Sequence, residues 1–234
     1  VGIDGIAFAE ATTGPGIALT PLDVYKALAD TPFGKPNTTK TWKDVNPAFP
    51  ALPITVYGPP KTSGTRDALA ELILEKGCDT DPAMKALKET NKDEHKKICT
   101  GVRTDGVYVE QGENDNLIVQ KLKANKNAVG IFGYSFLEQN ADTVKGSVVD
   151  GQAPTFENIA SGKYPVSRPL YFYVKKAHVG AIPGIKEFIA EFTSQKAMGE
   201  DGYLADRGLV PMPLAEYQVV RKRVAALQTM QPVK

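Results

Sequence analysis

The chain has 234 residues, of which 42% are apolar, 24% are charged and 8% are aromatic, and it carries 28 basic and 27 acidic side chains. This composition is that of a globular protein and excludes the collagen-like, coiled-coil and disordered classes. A net charge of +1 provides no field for nucleic acid or an anionic membrane. The chain starts at Val1 with no basic-then-apolar leader, which predicts a processed protein or a fragment.

The two cysteines, Cys78 and Cys99, allow three interpretations. They could be structural thiols of a cytosolic protein, but the polar stretch around them disfavours reduced thiols, which are normally buried. A metal site would need further soft ligands, and only His95 is near in sequence. We favour a disulfide, which closes a loop of 21 residues and contributes roughly 3 kcal/mol in the chain-entropy model. A disulfide in turn predicts an exported protein.

The first predicted elements are a strand and a helix. Residues 1–9 form a short apolar run without a helical stripe, which predicts a buried strand, and residues 11–19 predict a loop. Thr20, Pro21 and Asp23 match the N-cap, the first-turn proline and the acidic member of a capping box. A helix therefore begins at this point.

A strand, a loop and a helix follow in the middle of the chain. Residues 31–52 predict a loop in which Trp42 packs as an anchor. Residues 54–57 predict a strand that ends at a Gly-Pro-Pro sequence. The next helix starts at Ser63 and is expected to stop at Gly77, because glycine commonly follows the last helical residue.

The second half of the chain continues the alternation after a polar excursion at 79–106. Asn114 or Asp115 is expected to cap a helix that runs to about Lys123. The remaining predicted elements are strands at 128–136 and 170–176 and helices at about 184–197 and 213–228. Strands that alternate with helices predict an α/β fold with a largely parallel sheet.

The strand–loop–helix at 54–76 has the chemistry of an oxyanion site. A helix that starts after Ser63 leaves its first amides at the positive end of the helix dipole. Gly64 permits close approach of a ligand, and the guanidinium of Arg66 matches two oxygens of a tetrahedral anion. The candidate ligands are Ser63, Gly64, Thr65 and Arg66. In the alternative interpretation, Ser63 only caps the helix and Arg66 is a solvated charge.

The sequence lacks the motifs and the catalytic base that enzymatic chemistry at this loop would need. The P-loop spacing is absent, and a nucleophilic Ser63 would need a base, yet His95 and His178, the only histidines, have no triad-like setting. We therefore assign no catalytic residue, no cofactor and no metal. A solvated turn and helix cap, rather than a calcium loop, is expected of three acidic residues, Glu110, Glu113 and Asp115.

Four segments of the chain form an ordered set: PPKTSGTRDA at 59–68, GENDN at 112–116, AVGIFGYS at 128–135 and YPVSRPLY at 164–171. This set resembles, in the same order, the phosphate-binding protein of bacterial phosphate ABC transporters. The resemblance covers nearly the whole chain. It implies a two-lobed α/β fold of the type II periplasmic binding proteins, in which an anion is trapped between lobes joined by crossing strands.

The resemblance also implies a division of the chain. Residues 1–9 would be a hinge strand of lobe one, 10–165 would form lobe two with the SGTR loop, and 166–234 would contain a second hinge strand and helices that return to lobe one. Lobe two is then complete and lobe one is partial. The family's N-terminal segment, which carries a glycine-rich phosphate loop, a serine and a proton-accepting aspartate, is lacking here. Arg168 is expected to pair with a carboxylate in the hinge rather than to steer the anion.

The resemblance implies a periplasmic protein that captures inorganic phosphate and delivers it to the membrane permease of an ABC transporter. A missing N-terminal piece of the same protein would be a further partner of this chain. The residues that carry over as phosphate ligands are Ser63, Gly64, Thr65 and Arg66. Some family members place the arginine four residues before the serine, where this chain has Pro59, so Arg66 takes the cationic role. The adjacent Asp67 would either orient Arg66 or complement the helix dipole. The alternative functions are a serine-dependent phosphatase and an extracellular protein that retains only the fold.

Overall fold

A six-stranded sheet forms the centre of the computed structural model, which describes residues 1–230. The strands are β1 (Gly2–Ala11), β2 (Val56–Gly58), β3 (Tyr108–Glu110), β4 (Val129–Gly133), β5 (Val144–Gly146) and β6 (Ser167–Leu170). Their order is β3-β2-β4-β1-β5, and β6 also pairs with β1.

The sheet is mixed, so the prediction of a largely parallel sheet is wrong. β2 is parallel to β3 and β4, whereas β1 is antiparallel to β4, β5 and β6. The strands that pair with β1 all come from residues 129–170, far along the chain. The alternation of strands and helices along the sequence does not predict whether a later strand runs parallel or antiparallel to β1.

The strand predicted at 1–9 is confirmed, and it changes partners along its length. The first part of β1 pairs with β6, from Gly2 opposite Leu170 to Gly5 opposite Ser167. The second part pairs with β4 and then with β5, and all of its residues are buried. One strand therefore joins the segment around β6 to the main sheet.

Helices cover the sheet and form the C-terminal part of the described chain. They are α1 (Pro21–Leu28), α2 (Trp42–Val45), α3 (Gly64–Leu69), α4 (Glu75–Cys78), α5 (Pro82–Thr90), α6 (Lys92–Thr100), α7 (Asp115–Ala124), α8 (Tyr134–Gln139), α9 (Phe156–Ala160), α10 (Ile185–Phe192), α11 (Gln195–Met198) and α12 (Leu214–Ala225). A π-helical turn at Ala70–Leu74 joins α3 to α4 without a break.

The predicted helix starts are confirmed. The hydroxyl of Thr20 accepts from the amide of Asp23 at 3.2 Å, and the carboxylate of Asp23 accepts from the amide of Thr20 at 3.0 Å. The side chain of Asn114 accepts from the amide of Asn116 at 3.1 Å and caps α7. Trp42 is buried as expected, but it starts a short helix inside the predicted loop.

The helix after Ser63 does not stop at Gly77, as the sequence suggested, but continues to Cys78. A Cβ atom at Gly77 would lie 2.3 Å from the carbonyl oxygen of Pro21. The glycine is therefore required by the close packing of α4 against the first turn of α1, and it does not act as a helix stop.

The polar excursion at 79–106 contains two helices, α5 and α6, that the sequence analysis missed. Asp81 caps the first and Asn91 caps the second. Their many charged residues conceal a narrow inner face, where His95, Ile98 and Cys99 are buried. The cysteines thus lie in the core, although the surrounding sequence is polar.

The C-terminal elements are shorter than predicted. The strand at 128–136 ends at Gly133, where α8 begins. The strand predicted at 170–176 is wrong, because β6 covers Ser167–Leu170 and residues 171–175 form no strand. The single helix predicted at 184–197 is two helices, α10 and α11, because Ser194 caps a new start. The predicted last helix at 213–228 is confirmed as α12.

The buried core and the exposed apolar residues lie in different parts of the chain. The main core extends from Ile6 to Val166 and includes only Val210 from the C-terminal part. Nine of the ten large apolar side chains that are exposed come after residue 170, so this region lacks a packing partner within residues 1–230. No helix in the described part of the chain is both long enough and apolar enough to cross a membrane.

Candidate functional site

The candidate site lies at one edge of the sheet. β2, β3 and β4 are parallel, so their carboxyl ends, at Gly58, Glu110 and Gly133, meet at the same edge. Two of the four sequence motifs described above, at 59–68 and 112–116, follow β2 and β3, and a third, at 128–135, contains β4 and the two residues after it. In open α/β sheets, the crevice outside the carboxyl ends of parallel strands is the usual place for a ligand.

The loop after β2, residues 59–66, is called the SGTR loop here. Ser63 is its N-cap, and its hydroxyl accepts from the amide of Thr65 at 3.2 Å. The carbonyl of Ser63 accepts from the amides of Arg66 and Asp67 at 3.0 and 3.2 Å. The helix dipole therefore starts at Ser63, as the sequence predicted.

The amides of the SGTR loop are less free than expected. Those of Thr65 and Arg66 are already bonded to Ser63, because the first turn closes onto its hydroxyl and carbonyl. The amide of Gly64 makes no hydrogen bond within residues 1–230, and Gly64 is exposed. Of the three backbone donors that the sequence suggested, Gly64 is the one that is available to a ligand.

Arg66 is buried and is held by groups that the sequence analysis did not assign to it. Its Nη1 atom donates to the carbonyl of Pro59 at 3.4 Å and lies 3.7 Å from a carboxylate oxygen of Glu110. The guanidinium carbon lies 4.3 Å from the centre of the Tyr108 ring. Asp67 is exposed in the first helical turn and makes no ion pair with Arg66, so it complements the helix dipole.

Tyr108, in β3, fixes the position of the SGTR loop through a hydrogen bond to the first residue of that loop. Its hydroxyl donates to the carbonyl of Pro59 at 2.7 Å, and burial raises the pKa of Tyr108 to about 12. A Cβ atom at Gly58 would lie 2.2 Å from this hydroxyl, so only glycine fits there. The carbonyl of Pro59 thus accepts hydrogen bonds from both Tyr108 and Arg66. The spacing of these residues in the sequence does not predict this arrangement.

The acidic residues near the site have separate partners. In contrast to the expected solvated turn and cap, Glu110 ends strand β3, and Asn114 rather than Asp115 caps α7. Glu113 accepts from the hydroxyl of Thr62, and Glu110 pairs with Arg66. Asp115 accepts from the amide of Gly133 at 3.3 Å, and burial raises the pKa of its carboxyl group. These contacts tie the segments after β2, β3 and β4 to one another.

Arg168, in β6, connects the SGTR loop to β1. Its Nη2 atom donates to the carbonyl of Gly64 at 3.0 Å, and its Nε atom lies 3.4 Å from a carboxylate oxygen of Asp4. The sequence analysis expected such a pair with a carboxylate. The contact with Gly64 was not foreseen, because 104 residues separate the two positions.

The histidines do not approach Ser63. In the region that the structure describes, the hydroxyl of Ser63 has no hydrogen bond with a histidine. His95 is buried elsewhere, with Nε2 at 2.7 Å from a carboxylate oxygen of Asp79, and His178 lies in a 3₁₀ turn after β6. Within residues 1–230, neither histidine is therefore hydrogen-bonded to Ser63 as a catalytic base would be.

The predicted disulfide is present. Cys78 and Cys99 are bonded, with their Cα atoms 5.3 Å apart. The bond joins the end of α4 to the end of α6, so it fixes the helical excursion to the helix that starts in the SGTR loop.

The mixed sheet with its covering helices is similar to the fold of the type II periplasmic binding proteins. The model of the PBP superfamily domain matches residues 1–196, and the chain belongs to this family.

Two relatives and one solved structure are similar to this chain in sequence or in fold. The chain is 30% identical over 183 residues to "Phosphate-binding protein PstS" of Staphylococcus saprophyticus, an alignment that covers 76% of this chain and 47% of that protein. It is 30% identical over 206 residues to "Protein SphX" of Synechococcus elongatus, covering 84% and 52%. A crystal structure of a possible phosphate binding protein from Planctomyces limnophilus superposes with a TM-score of 0.66 at 26% identity, covering 98% of this chain and 72% of that one. The chain thus spans about half the length of the curated relatives it matches.

Proposed function

We propose that this chain is part of a solute-binding protein that binds inorganic phosphate at the SGTR loop and delivers it to the permease of an ABC transporter. The observation that carries the proposal is the free amide of Gly64 at the first turn of a capped helix, at the carboxyl edge of three parallel strands. The names of the similar proteins point to the same ligand.

In this proposal the ligands are Ser63, Gly64, Thr65 and Arg66. The amide of Gly64 and the hydroxyls of Ser63 and Thr65 would donate to phosphate oxygens, and the helix dipole would favour the negative charge. No hydrogen bond from Nε or Nη2 of Arg66 is present in residues 1–230, so these two donors are left for the anion. Tyr108 and Glu110 would hold the guanidinium in place, which reduces the entropy lost on binding.

We also propose that a further polypeptide segment completes lobe one. A cavity of about 850 Å³ lies between β1, the residues after β6 and α12, and it is lined mainly by apolar side chains, including Ile3, Leu170, Phe172, Val220 and Leu227. Five of the exposed apolar residues after position 170 line it: Tyr171, Tyr173, Val174, Val219 and Met230. On this view residues 1–9 and 166–176 include the two hinge strands, and 10–165 form lobe two.

The place of action in this proposal is outside the cytoplasm. The disulfide supports an exported protein, because such bonds persist in oxidising compartments.

Calorimetry on the intact protein that contains this chain tests the proposed function. Phosphate should bind with a stoichiometry of one per chain, and sulfate should bind at least about tenfold more weakly, because an acceptor for the phosphate proton repels a sulfate oxygen. The release of phosphate from a chromogenic ester, measured in parallel, should stay at the level of buffer. Binding of neither anion would overturn the proposal, and ester hydrolysis that is lost in Ser63→Ala would favour the phosphatase alternative.

The proposed further segment has its own test. A native mass spectrum of the protein from its source should show either a mass above 25.2 kDa or a second chain bound to this one. A hydrophobic dye should bind the isolated chain and not the complete assembly. A source protein of 25.2 kDa that excludes the dye would contradict this part of the proposal.

A further inference from the structure

Residues 171–174, directly after β6, form an extended segment with an unpaired backbone. In the part of the chain that the structure describes, none of their amides or carbonyls makes a hydrogen bond. The ring centres of Tyr171 and Tyr173 lie 6.5 Å apart, which matches the repeat of two residues in a strand, about 6.6 Å. A row of free donors and acceptors in this geometry is what an added strand pairs with. The segment is therefore a strand edge that is open within residues 1–230.

Apolar side chains lie on both faces of this segment. Tyr171 and Tyr173 share one face and are 68% and 73% exposed. Phe172 lies on the other face, where its ring meets that of Phe192 in α10 edge-on, with 5.1 Å between the ring centres. Val174, on the same face as Phe172, is exposed as well. Apolar residues at successive positions are typical of a strand inside a covered sheet and not of a solvated edge.

The open edge lies along the line of β1. The amide of Ile6, in β1, donates to the carbonyl of Val166, just before β6, at 2.8 Å. The two strands are antiparallel, and their register is constant along the pair. In such a pair every second residue directs its amide and carbonyl to the same neighbour. Phe172 and Val174 are an even number of residues from Val166, so their backbone groups face the line along which β1 would continue.

We propose that the residues directly before Val1 in a longer protein form a strand that continues β1 and pairs with residues 171–174. This inference rests on the further segment proposed above and assigns its contact. The register of β1 with β6 places the residue before Val1 opposite Phe172 and the third residue before Val1 opposite Val174. Both faces of the open segment are apolar, so the added strand should be apolar at successive positions.

Covalent continuity favours this strand over a separate partner. A segment that is already joined to β1 loses less translational and rotational freedom on pairing than a second molecule does. The curated relatives extend well beyond the aligned part, which leaves length for such a segment. Residues 169–174 also line the apolar cavity beside α12, so the added strand would border that cavity.

Hydrogen exchange in the intact protein that contains this chain tests the pairing. The amides of Phe172 and Val174 should exchange at least about a hundredfold more slowly than in an unstructured peptide of the same sequence. The amide of Gly151, in an exposed turn, is the control and should exchange close to the rate of the peptide. Exchange of Phe172 and Val174 at the peptide rate would overturn the proposal. Protection that is lost on dilution would assign the edge to a second copy of this chain and overturn it as well.

The mass of the same sample separates a failure of this inference from a failure of the further segment. A mass above 25.2 kDa with unprotected amides would overturn the pairing alone, whereas a mass of 25.2 kDa would overturn both. Phosphate binding is measured independently by calorimetry, so a failure at this edge leaves the proposed anion site standing.

The variants Val174→Pro and Val174→Ala separate the backbone bond from the side chain. Both remove the valine side chain, but only proline also removes the amide donor that would face the added strand. Val174→Pro should lower the melting temperature of the intact protein by at least about 3 °C more than Val174→Ala does. Equal melting temperatures of the two variants would show that this amide has no strand partner and would overturn the proposal.

Discussion

The guanidinium of Arg168 donates to the carbonyl of Gly64 at 3.0 Å and also pairs with Asp4 at 3.4 Å. These two contacts join the start of α3 to the paired strands β1 and β6. Arg168 bonds to the carbonyl of Gly64, whereas the free donor of that residue is its amide. Arg168 therefore holds the carbonyl of the same residue whose amide is proposed to bind the anion.

Replacement of Arg168 by Ala should lower stability and leave phosphate affinity nearly unchanged. The variant removes two contacts of a partly exposed side chain and leaves Asp4 without its partner. Burial already raises the pKa of Asp4, so the unpaired carboxylate carries an added cost at neutral pH. Thermal unfolding and calorimetry on the same samples check both parts. A large loss of affinity with an intact melting temperature would show instead that Arg168 faces the ligand.

Replacement of Arg66 by Ala should weaken phosphate binding by about tenfold or more. A hydrogen bond to a charged group contributes about 1.5–3 kcal/mol, which corresponds to at least a tenfold change in Kd. Arg66→Lys should restore only part of the affinity, because an ammonium group keeps the charge and loses the planar fork. Arg207→Ala, a change at an exposed arginine, is the control. Equal phosphate affinity in Arg66→Ala and the unmodified protein would place the anion elsewhere.

Replacement of Ser63 by Ala should affect both stability and binding. The loss of the N-cap hydroxyl, which accepts from the amide of Thr65, should cost about 1 kcal/mol of unfolding free energy. Ser63→Gly keeps the helix start within a few tenths of a kcal/mol, since glycine is an acceptable cap. Chemical denaturation and phosphate titration of both variants separate the two roles. If Ser63→Gly binds phosphate as tightly as the unmodified protein, the hydroxyl is a cap and not a ligand.

Loss of the disulfide should lower stability far more than phosphate affinity. The double variant Cys78→Ser with Cys99→Ser should lose roughly 3 kcal/mol of unfolding free energy, because the closed loop no longer restricts the unfolded chain. The bond lies at the far end of the helix from the SGTR loop, so Kd should stay within about twofold. Alkylation without reductant, followed by mass spectrometry, should find no free thiol in the exported protein. Two labelled cysteines would contradict the assignment.

Replacement of Asp115 by Asn should stabilise the protein at neutral pH. Burial raises the pKa of Asp115 above its ordinary value of 3.8, so the folded state binds the proton more tightly than the unfolded state. Its ionisation therefore costs stability as pH rises through the folded pKa, and the cost is absent below pH 3.8. The amide oxygen of Asn can still accept from Gly133. Unfolding measured from acidic to neutral pH should show the gain growing with pH, and a constant difference would contradict the assigned cause.

The sequence alone determined the features that depend on local chemistry. The capping box of Thr20 and Asp23, the cap at Ser63 and the start of α7 follow from residues within one helical turn, and the structure contains all three. The disulfide was also predictable, because the chain has only two cysteines. The order of four motifs was sufficient to predict the family and its fold.

Tertiary structure decided the features that depend on residues far apart in the chain. The partners of Arg66, the direction of β1 and the role of Gly77 all come from segments that meet only after folding. The helices around the cysteines were missed because their charged outer faces dominate the local composition, while burial of His95 and Cys99 is set by packing against α4. Local propensity specifies where a helix starts, but long-range packing determines which face is buried and which side chain reaches the site.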